Sequence, residues 1–213
     1  MVKIEKPRVN EDYEYRSFQD ILLEEDPELS NCNVRDAEFE SDMLDRARLS
    51  NMIIRNSRFT ETDFQGIDLL DMRFENCDFS NANLSKASIH RVEFVNCKLL
   101  GAELTESSIG NVSFEECNIS MAMFGESKLE KVKFTGCKMN SADFFSLKHK
   151  QLVFDRCQLT SVNFQDTKMK GLDISTSSFE ELTVTIGLLS GCKVSREQAI
   201  YFAKLLGLQV TDL

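Results

Sequence analysis

The sequence predicts an all-β solenoid, in which the chain winds around one axis in coils of four short segments. Two periods carry this prediction. Every fifth residue from Val34 to Val194 is a large apolar residue, with His149 as the single exception. Several residue types also recur at every twentieth position, and twenty residues make four segments of five. Such a repeat is typical of a solenoid in which each coil contacts only its neighbours.

The five-residue period excludes ordinary helices and straight strands. On an α-helix, five residues advance about 500°, so successive apolar residues would spread around the whole surface. On a straight strand, side chains alternate with a period of two, so every fifth residue would change face. A chain that turns a corner after each five residues directs the central residue of every segment at one common axis.

Columns of identical residues at twenty-residue spacing predict which side chains stack in the core. We expect a core ladder of phenylalanines and cysteines: Phe74, Phe94, Phe114, Phe134 and Phe154 beside Cys77, Cys97, Cys117, Cys137 and Cys157. At an inter-strand spacing of about 4.8 Å, a cysteine column lays its sulfurs along a line rather than at tetrahedral corners. We therefore interpret the cysteines as packing residues, with no metal and no cofactor.

The ends of the chain depart from the period, so we divide it into residues 1–30, 31–194 and 195–213. The first segment contains both prolines, Pro7 and Pro27, and nine Asp and Glu against four Lys and Arg, a net charge of −5 out of −10. We interpret it as an acidic cap over the exposed strand edge of the first coil. The alternative is an acidic arm that contacts a partner.

The C-terminal segment has the pattern of a short helix. Ser195 and Gln198 have the spacing of a capping box, and Gly207 is a typical helix stop. One helix face would hold Ala199, Phe202, Ala203 and Leu206, followed by a strand-like tail, Leu208-Gln209-Val210. The apolar residues left over predict a homodimer interface: Ile200, Leu205, Leu208 and Val210. The alternative is a lid on the last coil without a partner.

His149 is the one polar residue at a central position, between Lys148 and Lys150. A buried imidazole needs hydrogen-bond partners. We interpret it as a local bulge or a hydrogen-bonded core histidine, with a functional contact as the alternative.

The five-residue unit reads small, polar, large apolar and two further residues, as in Cys77-Asp78-Phe79-Ser80-Asn81 and Ala82-Asn83-Leu84-Ser85-Lys86. This unit resembles the A(D/N)LXX signature of pentapeptide-repeat proteins, and the resemblance covers roughly residues 30 to 194. It implies a right-handed quadrilateral β-helix in which the first and third residues of each unit point inward. The signature is specific for this fold, whereas proteins of many roles carry it.

The length, the uninterrupted repeat and the segment 194–208 (VSREQAIYFAKLLGL) are similar to the Qnr and MfpA-like subgroup. That resemblance implies a mimic of duplex DNA that binds bacterial DNA gyrase or topoisomerase IV, counters quinolones and does not itself bind nucleic acid. Residues twenty apart stack, and this places six carboxylates on one side, the acidic side, which we expect to face the enzyme: Asp63, Glu103, Glu106, Glu126, Asp143 and Asp166. Lys86 is a cation on the same side. The adjoining basic side carries Arg91, Lys128, Lys131, Lys148, Lys150, Lys168 and Lys170.

Other function classes find little support in the sequence. It has no glycine-rich phosphate loop, paired-cysteine metal spacing or nucleophile elbow, so we do not expect an enzyme. It has no run of eighteen apolar residues and no apolar stretch at its start, so we expect a cytoplasmic protein without membrane contact. Seven cysteines on the repeat fit reduced core residues better than disulfides. The alternative function is an adaptor that binds another intracellular protein.

Overall fold

The computed structural model describes residues 3–23, 26–40, 42–44 and 46–211, and it confirms a parallel β-solenoid of about eight coils with a short C-terminal helix. Six eight-residue strands stack in parallel, and each of the first five pairs with the strand twenty residues further on. They are β3 (Arg48–Arg55), β4 (Asp68–Glu75), β5 (Ser88–Val95), β6 (Ser108–Glu115), β7 (Lys128–Thr135) and β8 (Lys148–Asp155).

Shorter elements complete the two ends of the solenoid. The first coil contributes β1 (Glu28–Ser30) and β2 (Asn33–Arg35), which both pair with β3. Near the other end, β9 (Val162–Phe164) pairs with β10 (Leu182–Val184), and α1 spans Arg196–Leu205. Two 3-10 helices span Phe18–Leu23 and Ile186–Leu188. Residues 1, 2, 24 and 25 of the predicted acidic segment, and 212 and 213 of the C-terminal segment, lie outside the described residues.

The corners of the coil are residues in the left-handed region of backbone space. Every fifth described residue from Asn31 to Gly171 has a positive φ, for example Asn76 at 54° and Asn81 at 57°. Glycine and asparagine adopt this conformation most readily, and they are frequent at these positions. Four such corners in twenty residues give the coil its four sides. Each eight-residue strand contains one corner, such as Asp71 in β4, and so spans two sides.

The core is formed by the third residue of each unit together with the small first residue. The rings of Phe94, Phe114 and Phe134 stack nearly parallel, 4.8 Å between successive centroids, and all three are buried. Cys97 is also buried, and its thiol donates to the carbonyl oxygen of Phe74 on the preceding coil at 3.5 Å. Phe74 and Phe154 and the other cysteines of the predicted ladder are buried in the same two columns: Cys77, Cys117, Cys137 and Cys157.

The N-terminal segment closes the open end of the aromatic core. Phe18, on the first 3-10 helix, is buried and meets the ring of Phe59 at 4.8 Å and that of Phe39 at 5.0 Å. Ile21 is buried beside it. Residues 28–30 already belong to the solenoid, because β1 pairs in parallel with β3.

Residues 3–13, which we call the N-terminal strap, run along the outside of several coils. The main-chain N–H of Glu5 donates to Asn111 Oδ1 at 3.2 Å, and that of Arg8 donates to Asp71 Oδ1 at 2.9 Å. Glu5 also pairs with Lys131 at 3.3 Å. The three solenoid residues that the strap contacts, Asp71, Asn111 and Lys131, lie on corners twenty or forty residues apart, so the strap follows one edge of the solenoid. The sequence interpretation, a cap over the first coil, did not predict this path.

Helix α1 begins and ends as the sequence predicts. The main-chain N–H of Gln198 donates to Ser195 Oγ at 3.2 Å, and that of Ser195 donates to Gln198 Oε1 at 2.8 Å. Gly207 follows the helix with a φ of 83°. The N–H groups of Gly207 and Leu208 donate to the carbonyl oxygens of Lys204 and Ala203, which satisfies acceptors at the helix end.

The face of α1 that contacts the solenoid differs in part from the prediction. Phe202 is buried as expected, but Ala199 and Leu206 are exposed. Gln198 and Tyr201 take their place, and both form hydrogen bonds with the end of the solenoid. Residues 208–210 form no strand, so the predicted strand-like tail is wrong.

The structure explains two irregularities of the repeat. His149 pairs in register with Leu129, so the bulge interpretation is wrong; its ring is half-buried, with Nε2 2.6 Å from the carbonyl oxygen of Lys168. The last central residues, Phe179, Val184, Leu189 and Val194, are only half-buried, since the 3-10 helix Ile186–Leu188 replaces a regular side of the coil.

Candidate functional site

The acidic side is built from two columns of the repeat. In the first column, consecutive β-bridges join Asp63, Asn83, Glu103, Met123 and Asp143. The second column is the adjoining corner three residues further along each coil. The structure brings all six predicted carboxylates onto this side, and their side chains are exposed or half-buried. Asp63, Glu103 and Asp143 are in the first column, and Glu106, Glu126 and Asp166 are at the corner.

Neutral donors orient these carboxylates. Asn83 Nδ2 donates to Asp63 Oδ1 at 2.8 Å, and the Thr105 hydroxyl donates to Glu103 Oε1 at the same distance. Asp143 Oδ1 accepts from Asn163 Nδ2, also at 2.8 Å. Within the part of the chain that the structure describes, none of the six carboxylates forms an ion pair. Their negative charge is therefore not compensated by a contacting cation.

Further residues of this side lie on its other corner. Glu61 and Glu181 add two exposed carboxylates there, and the Ser161 hydroxyl donates to Glu181 Oε1 at 2.7 Å. The same corner carries Met121. Residues 61, 121 and 181 differ by multiples of twenty, so the repeat assigns all three to this side. The sequence interpretation considered only charged residues here and therefore missed Met121.

Ion pairs neutralise part of the basic side. Lys150 and Lys128 both pair with Glu130, at 3.1 and 3.9 Å. Lys131 pairs with Glu5 of the strap. Among the described residues, three cations of this side have no ion pair: Lys148, Lys168 and Lys170.

Arg91, the seventh cation, forms a nearly buried ion pair with Asp71. Its guanidinium donates two hydrogen bonds of 2.7 Å to the two carboxylate oxygens. These bonds, with that from the Arg8 N–H, hold the pKa of Asp71 below its ordinary value against the opposing effect of burial. The pair ties a corner of the solenoid to the strap, so we interpret it as structural.

An apolar surface covers the C-terminal end. The four residues predicted as the dimer interface are all exposed: Ile200 (37%), Leu205 (41%), Leu208 (59%) and Val210 (41%). Ile186, on the second 3-10 helix, and Leu206, at the end of α1, are also exposed. The sequence interpretation missed Ile186 because it kept the five-residue frame there, and it placed Leu206 on the docked face.

On its inner side, α1 satisfies backbone groups of the last coil. Gln198 Nε2 donates to the carbonyl oxygens of Ile174 and Ser177, at 2.9 and 2.7 Å. The Tyr201 hydroxyl accepts from the Leu182 N–H and donates to the Leu182 carbonyl oxygen. The helix is thus a lid on the solenoid, and its outer side remains uncovered.

The described residues contain no group of three or more His, Cys, Asp and Glu that could hold a metal ion. All seven cysteines are free thiols. No helix among the described residues is long and apolar enough to span a bilayer.

Stacked five-residue units with four corners to the coil define the class of protein, a pentapeptide-repeat solenoid. Two family models match the sequence: "Pentapeptide repeat region" at residues 67–144 and 87–164, and "Pentapeptide repeats (8 copies)" at residues 44–81. Together they span residues 44–164, more than half of the chain. The chain belongs to the pentapeptide-repeat family.

Solved structures with this fold include two trypsin-treated variants of QnrB1, which is described as a plasmid-mediated fluoroquinolone resistance protein. One variant is 20% identical, with a TM-score of 0.55 over 86% of this chain and 95% of that one. The other is 19% identical, with a TM-score of 0.50 over 87% and 99%. At these identities the likeness concerns the fold. None of the curated proteins matches the sequence.

Proposed function

We propose that the protein is a homodimeric, non-enzymatic mimic of duplex DNA that binds a bacterial type II topoisomerase, DNA gyrase or topoisomerase IV, through its acidic side. The observation that carries the proposal is the set of six carboxylates on one side of the rod, four of them held by neutral donors and all without a contacting cation among the described residues. A basic DNA-binding groove is the complementary surface for such a side.

The dimensions of the solenoid support partial mimicry. About eight coils at about 4.8 Å each give a rod of roughly 40 Å. Asp63, Glu103 and Asp143 occupy alternate coils, so their spacing is about 10 Å, whereas phosphates of one DNA strand follow every 3.4 Å or so. The protein therefore presents fewer charges than DNA, and we expect its shape and its non-charged contacts to contribute to binding.

The three segments have separate roles in this proposal. Residues 1–30 cap the first coil and include the strap, and residues 31–194 form the rod. Residues 195–213 join two rods through Ile200, Leu205, Leu208 and Val210. The exposed apolar side of α1 supports the last role. Two rods joined at their C-terminal ends double the length of the acidic side. The likeness of the fold to QnrB1 supports a further element of the proposal, protection of the enzyme against quinolones in the cytoplasm.

A supercoiling assay with purified gyrase tests the proposal. We expect the protein to inhibit supercoiling and to compete with linear duplex DNA for the enzyme, with less inhibition as salt is raised. A triple variant, Glu103→Gln, Glu126→Gln and Asp143→Asn, should inhibit at least about tenfold more weakly, because charge complementarity steers and stabilises the complex.

The matched control changes three exposed carboxylates on other sides: Glu38→Gln, Glu115→Gln and Glu116→Gln. It removes the same net charge, so equal weakening by both triples would show an effect of total charge rather than of the acidic side. The proposal is wrong if the wild-type protein neither inhibits gyrase or topoisomerase IV nor relieves quinolone poisoning. Recovery of a different binding protein in a pull-down would then favour the adaptor function.

A further inference from the structure

Phe145 occupies an unusual position among the phenylalanines. Of the 16 phenylalanines, 13 are central residues of the repeat. Phe18 and Phe202 are buried under the two ends. Phe145 alone points outward, half-buried on the acidic side, and its main-chain N–H donates to Asp143 Oδ1 at 3.0 Å. No requirement of the core explains a phenylalanine there.

The exposed methionines concentrate on the same side. Among the described residues, three methionines are exposed, and all lie on the acidic side or its corner: Met43 (70%), Met121 (62%) and Met123 (38%). Met121 is a corner residue with a φ of 60°. The left-handed conformation is unfavourable for a large apolar residue, and neighbouring coils have asparagine, glycine or serine at this corner.

Met121, Met123 and Phe145 form what we call the apolar patch. Met123 lies in the bridged column directly between Glu103 and Asp143. Phe145 is on the coil of Asp143, beside Gly125; a Cβ at Gly125 would lie 4.0 Å from that of Phe145. Carboxylates therefore stand on both sides of the patch along the rod, and Glu126 lies at the adjacent corner.

We propose that the apolar patch is a docking contact that enters an apolar recess within a basic, duplex-binding groove of the partner protein. This inference rests on the proposed function and extends it. The surrounding carboxylates fit only a cationic partner surface, while the thioethers and the ring fit an uncharged recess within it. DNA offers no such side chains to the groove, so the patch distinguishes this protein from the duplex that it imitates.

The two kinds of contact have different kinetic roles. Charges steer the encounter and mainly set the association rate and its salt dependence. Buried apolar contacts mainly set the dissociation rate, and methionine adapts its shape to an irregular recess. The patch would hold the complex at salt concentrations at which an acidic rod alone dissociates.

Binding kinetics on immobilised gyrase test this inference with the full-length protein. The patch variant combines Met121→Gln, Met123→Gln and Phe145→Ser. We expect it to dissociate about tenfold faster than wild type, with an unchanged association rate and an unchanged slope of affinity against salt. The triple carboxylate variant should show the reverse, a lower association rate and a shallower salt slope. Met43→Gln, which removes an exposed methionine from a distant coil of the same side, should change neither rate more than about twofold.

The outcomes separate the inference from the proposed function. If wild-type protein binds and the patch variant dissociates at the wild-type rate, the patch is not a contact, and the proposed function stands. If wild-type protein binds neither immobilised gyrase nor immobilised topoisomerase IV, both fall. Sedimentation of the patch variant provides a second measurement, since a lower oligomeric state than wild type would show that the patch contacts a second copy of this chain and would overturn the inference.

Discussion

The side-chain amide of Asn33 donates a hydrogen bond of 3.0 Å to the main-chain carbonyl oxygen of Tyr13. The same NH₂ group also reaches the carbonyl oxygens of Asn10 and Glu11, at 3.3 and 3.0 Å. On its other side, Asn33 Oδ1 accepts from the N–H of Ile53 at 3.2 Å. One buried amide thus joins the end of the strap to the first two coils.

We predict that Asn33→Ala lowers the free energy of unfolding by about 2–4 kcal/mol, because it leaves the buried N–H of Ile53 without a partner and removes the hydrogen bonds that hold residues 10–13. Limited proteolysis should also cut near Tyr13 first and leave the solenoid intact. Urea denaturation and mass spectrometry of the fragments measure both effects. Asn140→Ala, at an exposed asparagine, is the control and should change stability by less than about 0.5 kcal/mol. Equal stability of the two variants would contradict the role of Asn33.

Phe114 should contribute far more to stability than Phe145. Phe114 is buried between Phe94 and Phe134, so Phe114→Ala removes two stacking contacts and leaves a cavity; we expect a loss of about 3–5 kcal/mol. Phe145 is outward-facing, so Phe145→Ala should cost about 1 kcal/mol or less. Thermal unfolding of both variants measures the difference. A melting temperature that Phe114→Ala leaves unchanged would contradict the stacked core.

The sequence predicts the core of the fold position by position because the inward direction depends on local geometry. Phe114 and Cys117 point inward since each unit turns at its fifth residue, and every unit repeats the turn. The strap is different, because its contact between Glu5 and Asn111 joins residues 106 apart in the chain. A period cannot encode such a contact. The sequence prediction of the docked face of α1 used apolar spacing alone. In the structure, hydrogen bonds from Gln198 also hold that face against the solenoid, and apolar spacing does not reveal them.

The candidate site also has parts that the repeat predicts and parts that it does not. Steps of twenty residues place Glu103 and Asp143 in one column, so the sequence was sufficient to assemble the acidic side. The neutralisation of Lys131 by Glu5 depends on the strap and was not predictable. Phe145 was a visible signal that the interpretation missed: it stands at the fourth position of its unit, where the chain faces outward, directly after the central Phe144.

We predict that Ile200→Asp or Leu208→Asp converts the proposed dimer into a monomer with an intact solenoid. A charge buried in an apolar contact is costly without a partner, and both residues are exposed on the free side of the lid. Sedimentation velocity measures the oligomeric state, and circular dichroism checks the fold. Leu22→Asp, at an exposed leucine of the opposite end, is the control and should leave the dimer unchanged. A wild-type monomer, or dimeric Asp variants, would contradict this interface.

Cys192 should be the one thiol that reacts in the folded protein. The other six cysteines are buried, whereas Cys192 is half-buried. Burial raises the pKa of its thiol to about 11, so we expect slow labelling at neutral pH that accelerates as the pH rises, since the thiolate is the reactive form. Labelling with a thiol reagent, followed by mass spectrometry, identifies the modified residue. In Cys192→Ser, labelling should require denaturant; rapid modification of Cys97 or Cys117 in the native protein would contradict the closed core.

The ion pair between Asp71 and Arg91 makes stability depend on pH in the acid range. The pKa of Asp71 is lowered in the folded protein, mainly by hydrogen bonds from Arg91. The pair therefore stabilises the fold above the unfolded-state pKa of about 3.9, and this contribution is lost as the pH falls through the lower folded-state value.

We expect Asp71→Asn to lower the free energy of unfolding by about 1–3 kcal/mol at neutral pH, and the difference from wild type to shrink once the pH falls below about 4. Urea denaturation at a series of pH values measures this difference. Asp68→Asn, in the same strand, is the control and should follow wild type across the range. Because Asp71 also accepts from the Arg8 N–H, Asp71→Asn should loosen the strap, and protease should cut there before the solenoid unfolds. A difference between Asp71→Asn and wild type that stays constant down to strongly acidic pH would show that its origin is packing rather than the carboxylate charge.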